Sequence, residues 1–190
     1  AWGICADDLG GVWIGTDGQG VYIYSNDAYS IKTTTFESFT HRLKKPVRSI
    51  LLDKEKSLWI GTKGDGLVCI PDYDYNSEIT ADNIRYYNTS NCSLYNNSVY
   101  CIAEGSRNLL WIGGDDGINY WSYKDRQLRR LSMEVEGQSL RYVHALLEQN
   151  DSTMWTATVG TGIVRADIKW NGDTPQVVST KQFVFRDGSM

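Results

Sequence analysis

Short apolar runs alternate with polar or glycine-rich turns along the whole chain, and the apolar residues lack the 3.6-residue spacing of helices. One tryptophan recurs at intervals of 46, 52 and 44 residues, as Trp13, Trp59, Trp111 and Trp155. Isoleucine or leucine stands nine residues before each of these tryptophans, and an acidic residue stands six or seven residues before it. Each unit is therefore predicted to begin with two antiparallel strands joined by a polar turn, the second carrying the tryptophan.

A glycine-rich connection follows the tryptophan-bearing strand, as in Trp-Ile-Gly-Thr-Asp-Gly-Gln-Gly-Val at 13–21 and Trp-Ile-Gly-Thr-Lys-Gly-Asp-Gly-Leu at 59–67. Glycine supplies the positive φ that tight hairpins require, so a third strand is predicted directly after it. A fourth, weaker strand closes each unit, and we predict these strands at Thr34–Phe39, Asn83–Tyr87, Gln127–Leu131 and Lys181–Phe185.

Four antiparallel strands at a period in the forties are typical of one blade of a β-propeller. The sequence therefore predicts an all-β protein, a β-propeller with four four-stranded antiparallel blades at residues 1–45, 46–92, 93–138 and 139–190. We interpret the recurring tryptophan as core, because a large ring on the second strand can fill the gap between neighbouring blades.

Three arrangements of the blades stay open: a fragment of a larger ring of about seven blades, a closed four-bladed ring, or a ring completed by a second copy. We favour the first for the natural protein. For the isolated fragment we expect self-association, because open blade edges are templates for pairing.

Composition and motifs limit the functions that the chain can have. Lys plus Arg is 19 and Asp plus Glu is 23, a net charge of −4 without a charge block, which argues against a nucleic-acid surface. No nucleophile elbow, phosphate loop or metal-binding loop is present, so we predict no catalytic residues, no metal and no cofactor. The first residues already follow the repeat and no apolar run has the length of a membrane span, so we interpret the chain as a mature or excised fragment.

The four cysteines have no CxxC spacing, which argues against a zinc or redox site. Cys5, Cys69 and Cys101 lie inside predicted strands, where a free thiol acts as a small apolar filler, and Cys92 lies in a predicted loop. A disulfide stays an alternative if the compartment is oxidising.

The units share one pattern, in which an apolar strand is followed by Asp or Glu, then by Leu-Trp-Ile-Gly-Thr, and then by Gly-Leu. This pattern resembles the two-component regulator propeller repeat. The stretch from Ser93 to Ile102 resembles the connection between blades in that family, and 139–143 is a shorter version of it. Three units fit well, whereas the fourth has Thr156-Ala157 where Ile-Gly is usual.

The resemblance implies a larger parent, a hybrid two-component sensor histidine kinase of gut bacteria that is anchored in the inner membrane. In such parents, tandem periplasmic propellers commonly sense breakdown products of complex glycans. The chain is therefore expected to be a periplasmic module for ligand sensing or interaction. Its expected partners are an oligosaccharide and the neighbouring blades or domains of the parent chain, and not a nucleic acid.

The predicted strand directions place two sets of side chains on one face of the blades. Strand one leaves this face and strand two returns to it, so the hairpin after strand two lies beside the connection that leads into strand one. The hairpin tips carry Asp17, Lys63, Asp65, Asp115, Asp116 and Thr161. The start of strand one, eleven residues before each tryptophan, carries Trp2, Arg48, Tyr100 and His144.

The residues at the start of strand one vary among large polar and aromatic types, although their neighbours in the repeat are constantly apolar. The first strand of a blade lies nearest the central axis, and aromatic rings, Arg and His at its start suit an oligosaccharide with hydroxyl or carboxylate groups. The predicted ligand-binding residues are therefore Trp2, Arg48, Tyr100, His144, Lys63 and Asp65. The alternative interpretations are a solvated rim and an interface with a neighbouring domain.

Two other functions stay open. A propeller-type carbohydrate-active enzyme, a lyase or hydrolase, is compatible with the abundant carboxylates but requires titrating groups that converge at one mouth. A pure scaffold or dimerisation module predicts a large apolar interface and no glycan binding.

Overall fold

A computed structural model describes residues 2–7, 10–25, 30–32, 43–74 and 79–184. These residues form four four-stranded antiparallel sheets, each with its strands in chain order. The described helical structure is one turn of 3-10 helix at Ala81–Asn83. The chain divides into two compact units, 1–91 with 97–99, and 92–96 with 100–190, and each is described by itself.

The first unit contains the first two sheets. Sheet 1 consists of β1 (Ile4–Ala6), β2 (Val12–Gly15), β3 (Val21–Ser25) and β4 (Ser30–Lys32). Sheet 2 consists of β5 (Val47–Leu52), β6 (Leu58–Thr62), β7 (Leu67–Ile70) and β8 (Arg85–Tyr87).

The second unit contains the other two sheets and a short hairpin between them. Sheet 3 consists of β9 (Val99–Glu104), β10 (Leu109–Gly114), β11 (Gly117–Ser122) and β12 (Gln127–Leu131). The hairpin consists of β13 (Glu134–Val135) and β14 (Gln138–Ser139). Sheet 4 consists of β15 (Val143–Asn150), β16 (Thr153–Thr158), β17 (Gly162–Asn171) and β18 (Thr174–Phe183). Each sheet falls within one predicted blade range, and the boundaries between blades stay predictions.

In the first unit, the tryptophan-bearing face of sheet 1 packs against sheet 2. Trp13 and Ile23 are cross-strand partners and share one face of sheet 1. Both belong to one buried cluster with Val68 and Ile70 of sheet 2. The Trp13 ring is fully buried and meets the ring of Tyr73 edge-on, with centroids 5.1 Å apart.

The second unit repeats this packing between sheets 3 and 4. Trp111 and Tyr120 are cross-strand partners in sheet 3 and share a buried cluster with Val143, Val164 and Ala166 of sheet 4. Within each unit the tryptophan therefore fills the gap between consecutive sheets, which confirms its interpretation as core. The prediction holds less well in sheet 4, where Trp155 is only half-buried.

The glycine two residues after the tryptophan allows the next sheet to approach closely. A Cβ at Gly15 would lie 2.5 Å from Cγ1 of Val47, and a Cβ at Gly113 would lie 2.8 Å from Cγ1 of Val143. Real Cβ atoms do not tolerate such distances, so these positions require glycine for space rather than for its φ. Ala157 occupies the equivalent position in sheet 4.

The predicted fourth strands agree with the structure to different degrees. Gln127–Leu131 is confirmed as β12, and β8 begins at Arg85, two residues after the predicted start, because the preceding residues form the 3-10 turn. The strand predicted at 34–39 lies outside the described residues, and the described fourth strand of sheet 1 is β4.

The strand predicted at Lys181–Phe185 was wrong in its start: β18 begins at Thr174, and residue 185 lies outside the described residues. Strands β17 and β18 form a long hairpin whose tight turn is Asn171-Gly172-Asp173-Thr174, with φ of +61° at Gly172. The Asn171-Gly172 pair is a typical hairpin signal, but the alignment of the repeats did not use it. The hairpin after β16 is regular despite the unusual Thr156-Ala157, because Thr158 still pairs with Gly162.

None of the four cysteines, all of which the structure describes, forms a disulfide. Cys5, Cys69 and Cys101 lie in β1, β7 and β9, as predicted. Burial raises the pKa of the Cys101 thiol to about 12, and a backbone hydrogen bond from Gly113 offsets only part of this effect. The thiol therefore stays neutral and acts as apolar filler.

Candidate functional site

Backbone hydrogen bonds link each glycine-rich hairpin to the segment that leads into the next first strand. In the first unit, the Val47 N–H donates to the Thr16 carbonyl at 2.9 Å, and the Gly64 N–H donates to the Asn97 carbonyl at 2.9 Å. In the second unit, the Tyr142 N–H donates to the Asp115 carbonyl at 2.8 Å. Within each unit, hairpin tips and the starts of first strands therefore lie on the same side of the sheets.

Trp2 and Arg48, two of the predicted ligand-binding residues, are in contact in the first unit. The Arg48 guanidinium carbon lies 4.1 Å from the centroid of the Trp2 ring, which is a cation–π arrangement. Trp2 is 62% exposed and Arg48 is half-buried. The Arg48 Nε is buried and makes no hydrogen bond within the described part of the chain. The pair thus presents an exposed indole ring beside a guanidinium whose Nε is buried.

Tyr100 and His144 form the corresponding pair in the second unit. Their ring centroids lie 4.2 Å apart and their planes make an angle of 20°, so the rings are stacked. His144 is exposed and Tyr100 is half-buried. The stack places an imidazole against a phenol ring on the side where the hairpin after β10 meets the start of β15.

The two hairpin-tip residues of the prediction, Lys63 and Asp65, have different surroundings. Lys63 is exposed and its backbone forms an isolated bridge with Ser98. The Asp65 N–H donates to Oγ1 of Thr62 at 3.0 Å, which stabilises the turn rather than a ligand site. Among the described residues, no ion pair joins Asp65 to Arg48. Their binding role stays a prediction.

The structure also contains a cavity that the sequence did not predict. It has a volume of about 310 Å³, lies in the second unit, and is lined by Tyr95, Asp116, Gly117, Ile118, Leu131, Ser132, Met133, Ser139, Leu140 and Arg141. Its floor is apolar, and its rim carries an ion pair of 2.8 Å between Arg141 and Asp116. Asn96 donates a hydrogen bond of 2.7 Å to the other oxygen of Asp116.

Asp116 was predicted as a hairpin-tip residue, but the cavity itself could not be predicted. It needs the short β13–β14 hairpin, which places Met133 and Leu140 in the buried cluster of the second unit. The sequence carries a weak signal for this hairpin, the Glu136-Gly137 pair, whose residues both have positive φ.

The candidate site therefore contains aromatic faces and cationic donors, which can hold a ligand by stacking and hydrogen bonding. The described residues contain no group of three or more His, Cys, Asp or Glu side chains that could hold a metal ion. In the part of the chain that the structure covers, no helix combines the length and apolar character required to span a bilayer.

Comparison with protein families assigns the repeat. The model of the two component regulator propeller matches residues 43–64 and 96–116. These two segments are similar to the two-component regulator propeller repeat. Each matched segment runs from the connection before a first strand to the hairpin after the tryptophan, and so contains the first strand and the tryptophan-bearing strand of one sheet.

Three of the solved structures that resemble the chain come from chains longer than this one. The extracellular domain of a hybrid two component system from B. thetaiotaomicron shares 25% sequence identity with a TM-score of 0.68, over 95% of this chain and 22% of that chain. PorZ, a surface component of the type-IX secretion system of Porphyromonas gingivalis, shares 15% identity with a TM-score of 0.65, over 95% of this chain and 27% of its own. The β-propeller domain of Swd1 from Myceliophteria thermophila shares 10% identity with a TM-score of 0.59, over 95% of this chain and 57% of its own.

These likenesses confirm that the fold is a β-propeller fold with four-stranded antiparallel blades. The chain spans about a quarter of the length of the first two solved chains that it matches. The comparison with curated proteins gave no match.

Proposed function

We propose that the chain is a ligand-sensing module from the periplasmic region of a two-component regulator, and that it responds to glycan breakdown products. The repeat type and the extracellular domain of a hybrid two component system among the similar structures support the sensory context. The parent would be anchored in the inner membrane, and the chain would form part of a larger ring of about seven blades.

The observation that carries the ligand proposal is the pairing at the starts of the first strands. Arg48 lies over the Trp2 ring, and His144 stacks on the Tyr100 ring. Each pair combines a ring face, which can stack on the apolar face of a pyranose, with a nitrogen donor for a hydroxyl or carboxylate.

Signal transmission in this proposal is a shift of population. A glycan that binds one arrangement of the periplasmic region more tightly than another shifts the equilibrium between them by its differential affinity. The neighbouring blades or domains of the parent chain are the partners that would carry the shift onward.

The test is a thermal-shift screen of the chain against neutral, uronic-acid-containing and sulfated oligosaccharides, followed by calorimetry on any that bind. Tyr100→Ala and His144→Ala are expected to weaken binding at least tenfold, since each removes one half of a stacked pair. Phe183→Ala is the matched control, because Phe183 is an exposed ring in β18, away from the first strands.

Two results would contradict the proposal. If no oligosaccharide binds, the proposed sensing role of this chain is wrong, and the result supports the scaffold function. If an oligosaccharide is cleaved and His144→Ala abolishes cleavage, the chain is a carbohydrate-active enzyme instead.

A further inference from the structure

The cavity beside the β13–β14 hairpin, which we call the hairpin cavity, has an aliphatic floor. Ile118 and Leu131 are cross-strand partners in sheet 3 and form one part of this floor. Met133 and Leu140 form the other part, and the Leu140 N–H donates to the Met133 carbonyl at 2.9 Å across the base of the hairpin. All four side chains belong to the buried cluster of the second unit, so the floor is a fixed part of its core.

The walls of the hairpin cavity are a glycine and an aromatic ring. A Cβ at Gly117 would lie 3.3 Å from the Leu140 carbonyl oxygen and 3.7 Å from Cε2 of Tyr95, so the missing side chain leaves this space open. The Arg130 guanidinium carbon lies 4.7 Å from the centroid of the Tyr95 ring, and its N–H groups donate to two backbone carbonyls of the same connection. These contacts hold the Tyr95 ring in place as a wall.

The mouth of the hairpin cavity carries Arg141 and Asp116. Asp116 accepts from Arg141 through Oδ1 at 2.8 Å and from Asn96 through Oδ2 at 2.7 Å, so both of its oxygens are engaged. The described hydrogen bond of Arg141 uses one of the five N–H donors of a guanidinium. Its side chain is 56% exposed, and the Tyr142 ring lies against it at 5.1 Å. A second carboxylate can therefore bind Arg141 without displacing Asp116.

We propose that the hairpin cavity binds a small monocarboxylate with an apolar body, whose carboxylate contacts Arg141 and whose body lies on the aliphatic floor. Small-molecule sites combine an apolar lining with a few placed polar groups in this way. The cavity volume of about 310 Å³ corresponds to roughly ten waters at about 30 Å³ each, which limits the ligand to about ten non-hydrogen atoms. The proposal concerns a second site and does not depend on glycan binding.

Two features of the lining favour this ligand over other anions. A sugar acid would turn hydroxyl groups toward the aliphatic floor, where they lose their hydrogen bonds to water, and only Ser132 and Ser139 offer hydroxyl partners at the rim. Glu134 is exposed and lies opposite Ser139 in the β13–β14 hairpin, on the same face. Its charge disfavours an anion that carries more than one negative charge, such as a phosphate ester.

The test is calorimetry on the purified chain with three small probes. Hydrocinnamate has a phenyl ring and a carboxylate, and it is expected to bind with a Kd on the order of 1 mM, as is usual for a ligand of this size. Its neutral amide keeps the shape but lacks the charge, and glucuronate keeps the charge but has a polar body. Both are expected to bind at least about tenfold more weakly than hydrocinnamate. If either binds as tightly as hydrocinnamate, the proposed ligand class is wrong.

Two variants, each with a matched control, locate the binding site. Arg141→Gln is expected to weaken hydrocinnamate binding about tenfold, because it removes the charge that holds the carboxylate. Arg165→Gln is its control, because Arg165 also forms an ion pair, of 2.7 Å with Asp167, but does not line the cavity. Ser139→Trp fills the cavity and is expected to abolish binding. Gln138→Trp is its control, because this exposed neighbour in β14 points to the opposite face of the hairpin.

Four results would overturn the proposal. Hydrocinnamate does not bind at about ten times the expected Kd. Arg165→Gln weakens binding as much as Arg141→Gln, which indicates a general effect of charge. Ser139→Trp binds as tightly as the unmodified chain, which places the ligand outside the cavity. His144→Ala weakens binding as much as Arg141→Gln, which places the ligand at the Tyr100–His144 stack. Each of these results leaves the glycan proposal standing, because that proposal is tested with oligosaccharides.

Discussion

The close approach of sheets 3 and 4 predicts a specific cost for one added methyl group. In Gly113→Ala, the new Cβ would lie 2.5 Å from the Cys101 Sγ, 2.8 Å from Cγ1 of Val143 and 3.1 Å from the Val143 carbonyl oxygen. The thiol can rotate away, but the Val143 methyl sits on a stiff β-branched side chain and the carbonyl belongs to the backbone. The sheets must therefore separate locally.

Overpacking of this kind costs about 1 to 3 kcal/mol. For a chain of this length, this cost lowers the midpoint of thermal unfolding by roughly 3 to 10 °C. Circular dichroism during heating measures the shift. Ala157→Gly is the matched variant at the equivalent position of sheet 4, and it is expected to lose only about 0.5 to 1 kcal/mol through backbone entropy.

A second substitution tests the cause of the shift. Val143→Ala removes the methyl that the new Cβ would meet, so the double variant is expected to be less destabilised than the two single costs added together. If Gly113→Ala unfolds within 1 °C of the unmodified chain, or if the two costs simply add, the argument from close approach is refuted.

Three further predictions follow from burial and backbone conformation. Trp111→Phe is expected to lower the free energy of unfolding in urea by about 2 kcal/mol. Trp155 is only half-buried, so Trp155→Phe is expected to lower it by less than about 1 kcal/mol. Equal losses would contradict the inter-sheet role of Trp111. Because the folded chain raises the pKa of Cys101 to about 12 from an ordinary value of 9.0, its thiol holds its proton longer than in the unfolded chain. Stability should therefore fall as the pH rises above about 9, and Cys101→Ala should flatten this slope in urea unfolding at pH 7 and 10. Gly66→Ala is expected to lower the free energy of unfolding by at least about 2 kcal/mol more than Gly160→Ala. Both glycines have positive φ, but only at Gly66 would a Cβ lie 2.2 Å from a carbonyl oxygen. Equal shifts of the thermal midpoint would contradict this.

The sequence was sufficient to predict the sheets because the repeat encodes local geometry four times. Trp13, Trp59 and Trp111 are each buried at 0 or 1% exposure, and the glycine-rich turn after each tryptophan closes a hairpin. Positions fixed by strand alternation and by turn chemistry could therefore be read from spacing alone.

The parts that the sequence did not predict depend on contacts outside the repeat. The length of β17 and β18 is set by a hairpin that extends past the other strands, where Trp170 packs near Trp111 with centroids 6.4 Å apart. The cavity beside Arg141 depends on the β13–β14 insertion, which has no counterpart among the first-unit residues that the structure describes. At the candidate site, the repeat places Tyr100 and His144 at equivalent positions of consecutive units, but the stacking of their rings could not be predicted from the spacing.

The buried indole N–H groups find their acceptors in two different ways. Trp59 donates to Asp53 at 2.6 Å within its own hairpin, and Asp53 also accepts from the N–H groups of Glu55 and Ser57. Trp111 instead donates at 2.6 Å to Glu148 of the next sheet, 37 residues further along the chain.

This difference matters while the chain is being synthesised. The β5–β6 hairpin can complete its polar contacts as soon as it leaves the ribosome, whereas sheet 3 emerges before the carboxylate that Trp111 requires. At about 5 to 20 residues per second, the missing residues take roughly 2 to 7 s to be made. For that interval, burying the Trp111 ring would leave its N–H without an acceptor, so the ring has to stay in contact with water in the nascent chain.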